Sequence, residues 1–325
     1  MLSVEELRDI VEKNIAELDL KTKSPAELYN PILYTLGSKG KRIRPVMTLL
    51  ACQMFSENID NAILPAIGLE VFHNFTLLHD DIMDNASVRR SLPTVHKKWN
   101  ANTAILSGDA MMIEAYKLIA KTPDCCLRDV NNIFNDVALG VCEGQMYDMQ
   151  FETRTDVRES EYIEMITLKT SVLLAGSLKI GALIGGATSE QAELLYNAGL
   201  NTGIAFQLID DWLDVYSNPE VFGKKTGGDI VENKKTYLLI KALELSDSSN
   251  KKELLHRIEK KNFNESEKIE AITKIYNDAN IGELTIKKAS EYSNKAFEYI
   301  DKLDIETEKK QNLTELIKNL LEREK

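Results

Sequence analysis

Apolar residues in this chain recur three and four positions apart, and strand-like alternation is rare. Segments such as ELLHRIEK, EAITKIYNDANIG, KKASEYSNKAFEYIDKL and TELIKNLLEREK each place their apolar side chains on one face of a helix. All seven prolines lie at or before Pro219, so the stretch beyond it suits long uninterrupted helices. A different texture runs from Ser171 to Leu208, rich in Gly, Ala and Leu and poor in charge. Glycine inside a helix costs about 1 kcal/mol relative to alanine, so several together point to close helix packing. A helix apolar on most faces belongs at the centre of a bundle, and residues 66–83 and 130–151 have similar character. The pattern predicts an all-α fold: one domain over residues 1–325, a single large helical bundle whose central helices are shielded by more charged outer ones. Turns are expected near Pro25, Pro65, Pro123 and Pro219.

Composition narrows the classes. A chain of 325 residues with 43% hydrophobic residues is too apolar to be disordered, and 28% charged residues interrupt it too often for a membrane protein. The first residues, MLSVEELRDI, carry acids where an export signal has lysine and an apolar run. The expectation is a cytoplasmic protein that is not integral to a membrane. Four cysteines (Cys52, Cys125, Cys126 and Cys142) show no CxxC spacing and read as buried free thiols. With 51 acidic against 40 basic residues the formal charge is −11, which argues against nucleic acid as a partner. Taken alone, that acidity also argues against any phosphate ligand.

The distribution of the acids changes this picture. Asp-Asp-x-x-Asp occurs twice, as Asp80, Asp81 and Asp84 in DDIMD and as Asp210, Asp211 and Asp214 in DDWLD. Each copy follows an apolar helical stretch, and on a helix its first and last Asp share a face. Like charges there, at the inner end of an apolar helix, are costly unless a cation neutralises them. Hard oxygen ligands suit Mg²⁺, which accepts phosphate as a co-ligand. Glu70-x-x-His73 has the ExxH spacing of di-iron sites, but such a site wants two pairs, and His79, His96 and His256 lack a glutamate three residues earlier.

Cations flank both clusters. SKGKRIRP holds Lys41, Arg42 and Arg44; Arg89 and Arg90 follow the first cluster; Lys169 and Thr170 precede the low-charge stretch; Lys224, Lys225, Lys234 and Lys235 follow the second cluster. Each alone reads as a solvated surface charge. Together they suggest a pocket with metal-bound diphosphate on one side and Arg/Lys contacts on the other. Gly223, Gly227 and Gly228 allow close backbone approach. The absence of GxxxxGK[ST] and GxGxxG weakens nucleotide alternatives.

The chain resembles the trans-isoprenyl diphosphate synthase (polyprenyl synthetase) family, of farnesyl/geranylgeranyl diphosphate synthase type. The resemblance rests on GKRIRP (Gly40–Pro45), HNFTLLHDDIMD (His73–Asp84), the RR pair, NTAILSGD (Asn102–Asp109), GVCEGQMYD (Gly140–Asp148), LKT (Leu168–Thr170), FQLIDDWLD (Phe206–Asp214), GKKTGGD and NKKT. It implies the isoprenoid synthase bundle, a homodimer, and Mg²⁺-dependent elongation of an allylic diphosphate by isopentenyl diphosphate. By that resemblance Asp80, Asp84 and Asp210 bind metal, with Asp81, Asp211 and Asp214 in support. Three Mg²⁺ ions with Arg89, Lys169, Lys224 and Lys234 hold the allylic diphosphate. Gly40, Lys41, Arg44, His73 and Arg90 grip isopentenyl diphosphate, and Phe206 lines that side. Thr170 and Gln207 face the reacting carbons.

Product length would depend on Phe72, Phe75 and Thr76, which lie upstream of Asp80 along the same helix. The aromatic Phe75, the small Thr76 and the short motif DDIMD resemble a geranylgeranyl-type enzyme, with Phe72 as a stop one turn below Thr76. Farnesyl and longer products are the alternatives. A terpene cyclase would need no isopentenyl site, and a regulatory subunit would tend to lose an Asp cluster; the intact motifs speak against both.

Overall fold

Ser3 opens the first helix, α1 (Val4–Ala16), with a reciprocal cap. Its hydroxyl accepts from the Glu6 N–H at 3.2 Å, and the Glu6 carboxylate accepts from the Ser3 N–H at 2.8 Å. Two backbone donors that a helix start leaves unpaired are thereby satisfied. The computed structural model describes residues 1–38, 40–217, 226–260 and 262–322. α2 (Ala26–Leu36), α3 (Ile43–Gln53) and α4 (Asp60–Met83) follow. Pro65 does not mark a turn: it is buried inside α4, and the break falls at residues 54–59. As the sixth residue of α4, Pro65 forgoes one internal hydrogen bond, the one its N–H would have given to the Asn61 carbonyl.

Beyond α4 comes a hairpin that the apolar pattern does not announce. β1 (Val88–Arg89) and β2 (Leu92–Pro93) pair antiparallel, with Arg89 opposite Leu92. Arg90 and Ser91 form the two-residue turn in left-handed conformation, φ 52° and 62°. Such turns usually advertise themselves through Asn-Gly or Asp-Gly, and here they do not. α5 (Val95–Lys98), α6 (Ala101–Ile119), α7 (Leu127–Glu152) and α8 (Glu159–Ile166) come next, then a π-helical turn at Thr167–Ser171, α9 (Val172–Ile184) and α10 (Ser189–Tyr216).

Past Pro219, which lies outside the described residues, the chain divides more often than its lack of proline suggests. α11 (Gly228–Glu232), α12 (Tyr237–Leu245), α13 (Ser248–Glu259), α14 (Glu265–Asp278), α15 (Ile281–Asp301) and α16 (Thr307–Leu321) are separated by polar caps. Thr236, Asp247 and Asn264 accept from the first-turn amides of α12, α13 and α14. Asn280, at φ 54°, breaks the run EAITKIYNDANIG into α14 and α15.

The chain forms two compact units, neither contiguous in sequence. The first comprises Met1–Asn135, Gly176–Tyr196 and Asp304–Leu313; the second comprises Asp136–Ala175, Asn197–Leu303 and Thr314–Lys325. In the first unit α4 packs along α6 and α3 and buries residues on every side, Ile67, Leu69, Val71, Phe72 and Leu78 among them. In the second, Gly203 lets α10 touch the π-helical turn: a Cβ there would lie 2.5 Å from Ser171 Cα. Close packing explains the glycines of the low-charge stretch, whose residues 171–182 are buried except Lys179.

The helical run Glu159–Ile184 is long and apolar enough to cross a membrane by length and composition, yet 67% of its most apolar window is buried inside the protein. α7 departs from expectation, since it buries only one face. Val130, Phe134, Val137 and Val141 point inward, while Leu139, Met146 and Met149 are exposed. Nor are all thiols buried: Cys52 and Cys126 are, Cys125 and Cys142 are exposed.

Candidate active site

In the first unit, α4 delivers its acids where the helix emerges. Asp81 is buried, Asp80 is half-buried, and the exposed Asp84 caps the helix, its N–H still bonded to the Asp80 carbonyl. The hairpin brings Arg89 back onto this end. Arg89 Nε donates to Asp81 at 2.6 Å and Nη2 to Asp80 at 3.1 Å. Burial nevertheless raises the Asp81 pKa, against the lowering effect of Arg89.

The segment before α3 and the next residue of the hairpin form a cationic cluster. Gly40 lies so near Arg90 that a Cβ would sit 3.1 Å from its Nη1, and that same Nη1 donates to Ser38 Oγ at 3.0 Å. Arg44 Nε is buried without a hydrogen-bond partner. Burial brings the Arg44 pKa down to about 10; Arg90 adds to the fall and Glu70 opposes it. Burial, followed by the fields of Arg44, Arg90, Arg89 and Arg42, holds the His73 imidazole neutral. Lys41 is exposed. An incompletely compensated arginine cluster with a donor to spare is a receptor for an anion.

Arg42, chemically identical to Arg44, behaves differently. It is buried, and it donates to Glu12 and Glu70 at 2.8 and 2.9 Å. Glu70 therefore belongs to an ion pair, and it also accepts from Asn74 at 3.1 Å. The ExxH pattern is not a metal site.

Further up α4, four aromatic rings meet. Phe72 packs against Phe75 and Phe134 at 5.4 and 5.2 Å, and Tyr116 reaches Phe134 at 4.9 Å. Thr76, half-buried beside them, donates its hydroxyl to the His73 carbonyl of its own helix at 2.8 Å.

The second unit holds a chain of hydrogen bonds around the other Asp motif. Thr170 Oγ1 donates to Gln207 Oε1 at 3.2 Å, Gln207 Nε2 donates to Asp211 at 2.9 Å, and the Tyr162 phenol donates to Asp211 at 2.5 Å. Burial pushes the Asp211 pKa up to about 7 despite those two donors, with Asp210 adding to the rise. Asp214 caps α11 by accepting from the Asp229 N–H at 3.0 Å, and burial raises its pKa. Asp229 is raised further, by burial and by its acidic neighbours.

Lys169 lies in the π-helical turn, an irregularity frequent at functional sites. Its ammonium reaches Asp148 at 2.6 Å. Gly144 makes room, since any side chain there would collide with the Lys169 backbone. Phe206 is half-buried, and Lys234 pairs with Glu232 at 3.4 Å. Lys224 lies outside the described residues.

Tyr162, Asp148, Asp229 and the separate role of Arg42 escape a reading by motif. Asp148 and Asp229 stand inside GVCEGQMYD and GKKTGGD, so proximity to a motif was their only signal. For metal, the donor chemistry fits. Asp80 and Asp84 offer carboxylate oxygens one turn apart, and Mg²⁺ commonly takes one or two protein carboxylates and completes its shell with water and substrate phosphate. Among the described residues no group of three or more His, Cys, Asp or Glu could hold an ion by itself.

An all-α enzyme with two aspartate-rich helix segments and an arginine receptor for an anion is an isoprenoid synthase by architecture. A family model described as Polyprenyl synthetase matches residues 25–276. The chain is 43% identical over 236 residues to the Geranylgeranyl diphosphate synthase of Methanosarcina mazei, covering 72% of each. It superposes on a crystal structure of geranylgeranyl pyrophosphate synthase with TM-score 0.94 and 42% identity over 99% of both chains. It is also 36% identical over 258 residues to the Geranylfarnesyl diphosphate synthase of Natronomonas pharaonis, 74% of this chain and 75% of that one. The chain belongs to the polyprenyl synthetase family of trans-isoprenyl diphosphate synthases. It is a trans-prenyltransferase that extends an allylic diphosphate with isopentenyl diphosphate, and its family is generally Mg²⁺-dependent.

Proposed function

We propose that this enzyme makes geranylgeranyl diphosphate from isopentenyl diphosphate and a dimethylallyl, geranyl or farnesyl primer. The observation that carries the reading is the contrast on α4 between a small, half-buried Thr76 and the aromatic mass one turn further up, where Phe72 is closed in by Phe75 and Phe134. One i to i+4 step advances about 6 Å along the helix axis. A growing tail therefore passes Thr76 and stops at the rings.

Asp80, Asp84 and Asp210 would hold the Mg²⁺ ions, three being expected with bound diphosphate, and the metal would supply Lewis-acid neutralisation of the departing pyrophosphate. Arg89, Lys169, Lys224 and Lys234 bind the allylic diphosphate. Gly40, Lys41, Arg44, His73 and Arg90 bind isopentenyl diphosphate, with Phe206 beside it. As the allylic C–O bond breaks and pyrophosphate leaves, the alkene of isopentenyl diphosphate attacks C1, and the proton lost from the resulting cation passes to the released pyrophosphate. Thr170 and Gln207 are assigned to the side of the reacting carbons, where the hydrogen-bond relay from Thr170 through Gln207 to Asp211 fixes their oxygens in place.

The exposed apolar residues Ile105, Leu106 and Ile113 of α6, and Leu139, Met146 and Met149 of α7, support a homodimer. The burial of the most apolar window of the Glu159–Ile184 run supports an enzyme that is not integral to a membrane.

The test is incubation of the purified enzyme with Mg²⁺, labelled isopentenyl diphosphate and each primer in turn. The expected outcome is a C20 product from all three; accumulation at C15, or products beyond C20, overturns the product assignment.

A further inference from the structure

Arg42 sits at the start of α3 in left-handed conformation, φ 48° and ψ 38°, a backbone state that non-glycine residues rarely adopt. Its guanidinium, with the side chain 1% exposed, ties three elements together. Nε donates to Glu12 of α1 at 2.8 Å, Nη1 to Glu70 of α4 at 2.9 Å, and Nη2 to the carbonyls of Leu36, the last residue of α2, and of Ser38 just beyond it, at 2.6 and 3.2 Å. These contacts leave the group no opening toward a ligand. Ser38 then passes the constraint on, because its hydroxyl accepts from Arg90 Nη1 at 3.0 Å.

Glu70 is the buried acid within this cluster of cations, and its field favours the charged forms of Arg44 and Arg90. It stands three residues before His73, on the same side of α4. Replacing a buried ion pair by apolar residues often leaves stability unchanged. A pair kept at this spot is therefore better explained by what it aligns than by the stability it adds.

We propose that the Arg42–Glu70 ion pair is a positioning device for the isopentenyl diphosphate receptor: it sets the path of Gly40–Arg44 and the direction of the Arg90 guanidinium without touching substrate. This rests on the reading that Gly40, Arg44, His73 and Arg90 hold that substrate.

The test is steady-state kinetics with the two substrates varied separately. Arg42→Lys keeps the charge but cannot span Glu12, Glu70 and both carbonyls. It raises KM for isopentenyl diphosphate about tenfold and leaves the allylic KM within about twofold. Glu12→Gln, at the half-exposed end of the network, folds more safely and shows the same selectivity at about threefold. Combining Arg42→Lys with Arg44→Gln gives less than the product of the single effects, because one acts through the other.

An unchanged isopentenyl KM in both single variants, or equal rises in the two KM values, overturns the proposal. Arg44→Gln separates that failure from failure of the underlying reading. If Arg44→Gln raises the isopentenyl KM while Arg42→Lys does not, only the positioning role is lost. If Arg44→Gln has no effect, the receptor assignment and the positioning role fall together.

Discussion

Tyr162 donates its phenolic O–H to Asp211 at 2.5 Å across 49 residues of chain, and both side chains are buried. Tyr162→Phe keeps the ring against Tyr237 and removes only the donor. Loss of one hydrogen bond to a buried carboxylate costs about 1–3 kcal/mol. Urea denaturation at pH 7 should show that loss, and turnover should fall about tenfold as Asp211 and Gln207 reorient. A variant with wild-type stability and wild-type turnover would show that the phenol is idle.

Asp80→Ala removes a half-buried carboxylate near the end of α4 and with it the 3.1 Å bond from Arg89, which keeps its 2.6 Å bond to Asp81. The fold loses little, so far-ultraviolet circular dichroism should be unchanged. Turnover should fall by at least about a hundredfold, a size typical of deleting a group that stabilises transition-state charge. Chelation of Mg²⁺ should abolish wild-type activity, and readdition should restore it. Near-normal turnover in Asp80→Ala would remove this residue from the metal site.

Phe75→Ala opens the aromatic group beneath Thr76 while the Phe72–Phe134 contact remains. Products longer than those of the parent enzyme are expected by chromatography of the dephosphorylated prenols. Phe72→Ala touches a ring that is 1% exposed and should destabilise by about 3–5 kcal/mol, so it is the less readable variant. An unaltered product distribution for Phe75→Ala moves the stop to Phe72 or to Phe134.

His73 gives a pH prediction with a definite sign. Burial and four arginines depress its folded pKa well below the ordinary 6.5. Above pH 6.5 the imidazole is neutral in both folded and unfolded chains, and its contribution to stability is fully present. As pH falls through 6.5 the unfolded chain takes up a proton that the folded one refuses, so stability declines toward the depressed value. His73→Asn should flatten the stability–pH curve between about pH 5 and 6.5 relative to wild type. A nuclear magnetic resonance titration placing His73 near 6.5 in the folded protein would falsify this account.

Much of this was legible in one dimension because the signals were local. Two Asp motifs after apolar helical runs announce helix-borne carboxylates, and glycine among leucine and alanine announces close packing. Other features depend on chain return. Asp214 becomes a helix cap only because residues 227–229 come back to it, and Tyr162 meets Asp211 through tertiary packing alone. Arg42 and Arg44 carry the same side chain two positions apart, and nothing in their neighbours says which one is taken up by Glu12 and Glu70. The hairpin turn at Arg90–Ser91 lacks the glycine or asparagine that marks such turns, since packing of Arg90 against Gly40 and Ser38 holds it. In α7 the exposed Leu139, Met146 and Met149 read like core residues until the packed face is known.

Lys268 is fully buried, yet its ammonium donates to the Val231 carbonyl at 3.1 Å and to Asn233 Oδ1 at 2.7 Å, and lies 4.2 Å from the Phe263 ring centroid. Burial, then the nearby Lys235, lowers its pKa. An ammonium is expensive to bury, and two acceptors with an aromatic face offset part of that cost. The contacts fasten Asn233, left-handed at φ 56°, and so fix the turn that carries Lys234. Lys268→Met has nearly the same length, relieves the buried charge and leaves two acceptors without their donor. These effects oppose each other, so stability should change by no more than about 1–2 kcal/mol. The turn should loosen, and KM for the allylic substrate should rise about fivefold while that for isopentenyl diphosphate stays constant. Unchanged constants for both substrates would show that the turn holds its shape without Lys268.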